Sequence, residues 1–197
     1  MIAYLKGAFS GITPSSVIVD TGGIGYEVNI SLNTYSQIQN LEKGLLFTHL
    51  IIREDAHLLY GFSDIKEKSI FLLLISVSGI GANTARLILS YMKPEEVSTA
   101  ILHGDSRSLE RIKGIGKKTA ERAVLELKDK VGKNYTDVTL PANTGTTITP
   151  SIKQDALEAL LALGINRQQA EQNIIKLLQA DPELQLEELI KKVLKGL

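Results

Sequence analysis

The residues with chemistry to offer are two Gly-Ile-Gly steps, each placed just before a helical stretch. Gly79-Ile80-Gly81-Ala82-Asn83-Thr84-Ala85 and Gly114-Ile115-Gly116-Lys117-Lys118-Thr119-Ala120 align at an offset of 35 positions, which makes them copies of one repeat. Apolar residues at helical spacing precede and follow each step, and Ala85 and Ala120 leave room for close helix packing. The pattern predicts two helices joined by a hairpin too tight for side chains at its glycines. The helix after the hairpin then starts with its first N–H groups free and carries partial positive charge. Bare amides beside glycine admit an anionic oxygen, and the natural ligand is a backbone phosphate of nucleic acid. The candidate contact set is Gly79, Gly81, Asn83, Thr84, Gly114, Gly116, Lys117, Lys118, Thr119 and Arg122.

Two other glycine-rich motifs do not fit. A P-loop ending at Lys117 would need glycine where Arg111 stands and serine or threonine where Lys118 stands. A dinucleotide fingerprint would need glycine at 84 or 119, both threonine, and a strand rather than a helix before the turn. The repeat resembles the helix-hairpin-helix DNA-binding motif, whose hairpin amides hold phosphates without reading bases.

Charge is distributed to match. Lys plus Arg and Asp plus Glu are both 22 in 197 residues, so the net charge of zero hints at no polyanion. Residues 1–62 hold 3 basic and 5 acidic side chains, residues 63–140 hold 13 and 10, and residues 151–197 hold 6 and 7. Only the repeat region is net positive, and 107–133 concentrates 9 basic against 4 acidic residues there.

Neither catalytic nor metal chemistry is expected. The chain has no cysteine, which removes disulfides and thiolate sites and fits a reducing interior. His49, His57 and His103 are scattered without metal-ligand spacing, and no cofactor is implied. A base-excision glycosylase also grips DNA with such a hairpin, but it needs a carboxylate in a base-sized pocket. Glu121, Glu126 and Asp129 instead alternate with basic residues in the pattern of a solvated helix face. The amino terminus lacks a basic start followed by an apolar run, and no apolar stretch could span a bilayer, so a cytoplasmic location with no membrane partner is expected.

The elements that position these residues follow from local patterning. Residues 1–7, 16–20, 25–30 and 48–53 read as strands broken at Thr13-Pro14-Ser15, Gly22-Gly23 and Lys43-Gly44. They predict a small β-barrel, of oligonucleotide-binding (OB) type if five-stranded, with a short helical connection over 35–41. Glu54 and Asp55 lie between two strand-like runs and should form an acidic hairpin tip. From Asn134 to Pro150 the chain turns to Thr, Asn, Gly and Pro, the composition of a linker. Residues 151–197 give three amphipathic helices and a small bundle, whose modest core leaves apolar surface available to a partner.

A barrel ending in Arg53-Glu54-Asp55-Ala56 and Leu58-Leu59-Tyr60-Gly61-Phe62, followed by two hairpins with Gly114-Ile115-Gly116-Lys117-Lys118-Thr119-Ala120-Glu121-Arg122, closely resembles the RuvA family along its whole length. The resemblance implies a β plus α multi-domain fold: an OB-like barrel over 1–63, a tandem helix-hairpin-helix domain over 64–142, a flexible linker over 143–152, and a three-helix bundle similar to ubiquitin-associated folds over 153–197. It implies a non-enzymatic subunit that binds four-way (Holliday) junction DNA in recombination and repair. Glu54 and Asp55 would be an acidic pin at the junction centre, and residues 153–197 would dock the RuvB motor ATPase. The RuvC resolvase is a further candidate partner, and the assembly would be a homotetramer or an octamer. Candidate interface surface lies on the barrel and on the first helix around Phe71, although core is the simpler role for any one of these residues. The chain departs from the family at Ala82-Asn83, where members often carry a basic residue, so the first hairpin should contribute less charge than the second. A DNA-binding module unrelated to junctions would share the phosphate chemistry but would have no use for the pin or the bundle.

Overall fold

In the computed structural model, which describes residues 1–136, 152–181 and 184–195, five strands close into a barrel at the amino terminus. They are β1 (Tyr4–Ser10), β2 (Ser16–Asp20), β3 (Gly25–Ile30), β4 (Lys43–Ile52) and β5 (His57–Phe62). The barrel order is β1-β2-β3-β5-β4, with β4 returning to β1; β3 and β5 pair in parallel and the other pairs are antiparallel. With helix α1 (Leu32–Ile38) between β3 and β4, this is the OB-type connectivity. Its interior comes from alternate strand positions, Val17 and Val19 on β2, Val28 and Ile30 on β3, and Leu46 and Leu59 on β4 and β5.

The strand boundaries differ from the sequence reading at one informative place. Lys43-Gly44, expected as a break, opens the ten-residue β4. Gly44 pairs with Gly7 of β1, and a Cβ on Gly44 would lie 2.9 Å from the Phe9 ring. The glycine permits close packing rather than a turn. The helical connection also begins earlier than expected, at Leu32 after the Ser31 N-cap.

Helices α2 (Ile65–Ile75), α3 (Ala82–Tyr91), α4 (Pro94–His103), α5 (Ser106–Glu110) and α6 (Lys117–Thr136) follow. Tyr60 and Phe62 of β5 belong to the core of these helices, which is separate from the barrel interior. Phe71 of α2 is fully buried, with its ring 5.2 Å from Tyr60, 4.9 Å from Phe62 and 6.0 Å from His49. It is therefore core, and the exposed apolar residues of α2 are Ile65 and Leu72. From Phe71 the core runs through Leu74, Ile88, Leu89, Ile101 and Leu109 to Leu127 and Val131. Helix α4 lies outside the repeat, and local signals explain it: Pro94 at its start, Glu95 and Glu96 in its first turn, and Gly104 as a left-handed cap.

The described chain falls into two units, Met1–Leu140 and Pro141–Leu197. Helix α6 continues through Thr136, past the start expected for the linker. The linker segment up to residue 151 otherwise lies outside the described residues. The second unit packs α7 (Ile152–Ala162), α8 (Arg167–Ala180) and α9 (Leu186–Lys195) around Ala156, Leu157, Leu160, Ala170, Ile174, Leu189 and Val193. Ile152, Leu161, Leu163, Ile175 and Leu194 remain exposed.

Candidate nucleic-acid interface

The two hairpins match bond for bond. Val77 N–H donates to Leu74 C=O and Ile112 N–H to Leu109 C=O, both at 3.1 Å. Ile80 N–H donates to Val77 C=O at 3.0 Å, as Ile115 N–H does to Ile112 C=O at 3.1 Å. Ala85 and Ala120 then donate to the carbonyls of Gly81 and Gly116, at 2.9 and 3.0 Å. Ile80 and Ile115, at 4% and 5% exposure, plug the two turns into the core.

The glycines of each pair do different work. Gly79 (φ +95°) and Gly114 (φ +93°) sit in the left-handed region that only glycine enters freely. Gly81 has φ −84° and ψ 170°, which any residue adopts. A Cβ at Gly81 or Gly116 would meet no protein atom within 4 Å. The sequence had assigned both glycines of each hairpin to tightness, but the second of each pair leaves open space at a helix start.

Those helix starts are uncapped. Four other helices have a first-turn amide capped by a side chain, from Ser31 before α1, Asp64 before α2, Asp105 before α5 and Asn166 before α8, and Glu96 of α4 accepts from the Lys93 N–H just outside its helix. Helices α3 and α6 follow glycine, carry no acid in the first turn, and have no capping side chain. The N–H groups of Ala82 to Thr84 and Lys117 to Thr119 thus face outward in a field that favours an anion.

Lys117 and Lys118 are exposed, and neither joins any of the four ion pairs among the described residues. Arg122 is partly engaged: its Nη1 lies 3.4 Å from the Ser78 carbonyl, and its Nε is 4.0 Å from Glu126. Thr119 packs beside Gly79, within 3.4 Å of the position its Cβ would take, so the two hairpins abut. Thr84 is half-buried. Asn83 is exposed, and its Oδ1 accepts a hydrogen bond from the Tyr60 hydroxyl at 3.1 Å.

The acidic tip is a two-residue turn. Ile52 and His57 form the last β4–β5 pair, Arg53 N–H donates to Ala56 C=O at 2.8 Å, and Glu54 and Asp55 project between them, exposed. No ion pair among the described residues involves either carboxylate.

Three family models match this chain: "RuvA N terminal domain" over residues 1–61, "SAM-like Helix-hairpin-helix tandem" over 71–129, and "RuvA, C-terminal domain" over 151–197. Proteins described as Holliday junction branch migration complex subunit RuvA match end to end. That of Christiangramia forsetii is 46% identical over 197 residues and that of Flavobacterium psychrophilum 45%, each covering 100% of both chains. That of Bacteroides fragilis is 41% identical over 201 residues, again with 100% of both chains covered. The chain belongs to the RuvA family. The RuvA barrel, hairpin tandem and carboxy-terminal helices thus correspond to the three groups of elements described above.

Sequence reasoning missed two features of this chain. Glu67 is 1% exposed; it accepts from the Ser31 hydroxyl and, at 2.7 Å, from that of Thr34. Burial pushes its carboxyl up, the two hydroxyls oppose this, and the charge of Asp64 adds to it. Arg86 donates from Nη1 to the Ser15 carbonyl at 2.9 Å and to Asn29 Oδ1 at 3.1 Å. Both join barrel to helices across 33 to 71 positions of sequence, a separation at which local pattern carries no signal. Among the described residues no group of three His, Asp or Glu side chains could hold a metal ion, and no helix is long and apolar enough to cross a membrane.

Proposed function

We propose that this chain binds four-way (Holliday) DNA junctions by shape and recruits the RuvB ATPase that moves the branch point. The observation that carries the reading is the pair of matched hairpins, each offering uncapped amides beside an open glycine. Gly81 and the backbone amides of Asn83 and Thr84 cradle one phosphate; Gly116, Lys117, Lys118 and Thr119 cradle another, with Arg122 beside them, while Gly79 and Gly114 shape the turns. Backbone amides and flexible lysines hold phosphates without reading bases. That suits a migrating junction, whose sequence changes while its shape does not.

Glu54 and Asp55 act by repulsion. Exposed carboxylates at a narrow tip hold phosphate strands apart at a crossover and disfavour continuous duplex, which has no open centre to receive them. The likeness to branch migration complex subunits supports a role in recombination and repair. The chain assembles as a homotetramer, one subunit per duplex arm. An octamer closing over the other face would use outward apolar residues such as Leu125, 80% exposed on α6. The carboxy-terminal unit docks the motor through Leu161, Leu163, Ile175 and Leu194. The RuvC resolvase would meet the DNA left uncovered by a single tetramer. None of these roles involves a cofactor, a metal or catalysis by this chain.

A gel-shift series on a four-way junction, a duplex of the same arm sequence and a single strand, at one salt concentration, tests the reading. A clear preference for the junction is expected, unaltered when the arm sequences are changed. Equal affinity for junction and duplex would refute it.

A further inference from the structure

Helix α3 is fastened to the barrel along one face. Asn83 in its first turn meets Tyr60, and Arg86 meets Ser15 and Asn29. Near its end, Ser90 Oγ accepts from Leu32 N–H at 3.1 Å, and Asn33 Nδ2 donates to the carbonyls of Leu89 and Met92. Positions 83, 86 and 90 fall on one side of a helix, so these contacts form a single seam.

Two of the fasteners end on the same strand pair. Tyr60 of β5 lies between Asn29 of β3 and His49 of β4 in the ladder, and it is 1% exposed. Asn29, which accepts from Arg86, donates from Nδ2 to the Leu59 carbonyl at 3.2 Å. The path Tyr60, Asn83, Arg86, Asn29 and back to β5 is therefore a closed circuit. β5 is also the strand that descends from the acidic tip, with Tyr60 five residues beyond Asp55 and therefore roughly 17 Å along an extended chain. The second hairpin has no such fastening; no side-chain hydrogen bond among the described residues ties residues 112–122 to the barrel.

We propose that Tyr60 and Arg86 are positioning residues which lock the first phosphate cradle at a set distance from the acidic tip, and so determine selectivity for junctions over duplex. This rests on the junction-binding reading above. The second hairpin supplies charge through Lys117 and Lys118, while the first supplies geometry, and Asn83 in place of a cation serves the fastening. A junction must receive the tip and present an arm phosphate to the first hairpin at once, so the spacing between them matters. A continuous duplex engages no tip, and a loosened α3 costs it little.

The test is a double-mutant cycle on the full chain, with Tyr60→Phe, Asn83→Ala and both together, measured as the ratio of junction to duplex dissociation constants at matched salt. Tyr60→Phe removes only a hydroxyl and keeps the ring against Phe71. Each single variant is expected to lower selectivity about fivefold, the loss of roughly one hydrogen bond, and the double variant no further. Duplex affinity of Tyr60→Phe should stay within about twofold of the parent. Arg86→Lys, which keeps the charge but loses the fork, should lower selectivity in the same direction.

Losses that multiply in the double variant would make Asn83 an independent phosphate ligand and overturn the proposal. So would selectivity unchanged in every variant. If Tyr60→Phe melts early, Asn83→Ala and Arg86→Lys together decide the question, since both must lower selectivity and a loss confined to Asn83→Ala overturns the proposal. A parent without junction preference would sink the function proposed above and this inference together. A parent whose preference survives the substitutions would sink this inference alone.

Discussion

Replacing Lys117 and Lys118 with alanine should flatten the salt dependence of DNA binding by a calculable amount. Both side chains are exposed at the start of α6, and no carboxylate among the described residues pairs with either. Each is free to neutralise one phosphate and release its counterion, worth about 0.9 in the slope of log K against log salt. The pair should therefore remove about 1.8 from the slope for a short duplex that engages one subunit. Over a fourfold rise, from roughly 50 to 200 mM salt, the parent should lose about twelvefold more affinity than the double variant. Fluorescence anisotropy at four or five salt concentrations measures this directly. The loss should be the same for arms of different sequence, since no base is read. An unchanged slope would remove both lysines from the interface, and a slope changed for only some sequences would contradict phosphate-only contact.

The other predictions concern the tip, the cradle, the buried acid and the bundle. Glu54→Gln with Asp55→Asn should tighten duplex binding by about tenfold and junction binding by less, because two like charges facing phosphates are removed; a junction-to-duplex ratio equal to the parent's would show that the tip is only a solvated turn. Gly116→Ala should leave the melting temperature nearly unchanged, since the methyl meets no protein atom, yet weaken binding about tenfold by occupying the oxygen's approach. Gly114→Ala, at φ +93°, should instead destabilise the fold by about 1–2 kcal/mol, and the contrast separates ligand access from backbone strain. Glu67 is held above its ordinary value of 4.5, so its contribution to stability is fully present below that pH and is lost as pH rises through the raised value. Urea unfolding should accordingly show the stability of the parent relative to Glu67→Gln falling as pH rises above 4.5, and a constant difference would refute the shift. Leu163→Asp, at a residue 60% exposed between α7 and α8, should spare junction binding and abolish stimulation of branch migration by the motor; normal stimulation would move the docking surface elsewhere.

What the sequence by itself determined is whatever depends on neighbours in the chain. The repeated Gly-Ile-Gly hairpins, the alternating strands, the acidic turn and the three carboxy-terminal helices are local periodicities and turn preferences that hold whatever they pack against. The same logic exposed the uncapped start of α6 and the cations beside it, because a helix end and its next few residues lie within one turn. Only the tertiary structure decided what depends on register between distant segments. Antiparallel pairing of β4 with β1 turned Lys43-Gly44 from a break into the start of a strand, since Gly44 meets Gly7 and Phe9. Packing decided that Phe71 is core, that Leu161, Ile175 and Leu194 face outward, and that Asn83 answers to Tyr60. Nothing in the local sequence singles out Glu67 or Arg86. They became fasteners because folding brought a barrel helix and a barrel strand against them, removing water and leaving hydroxyls and carbonyls as their partners.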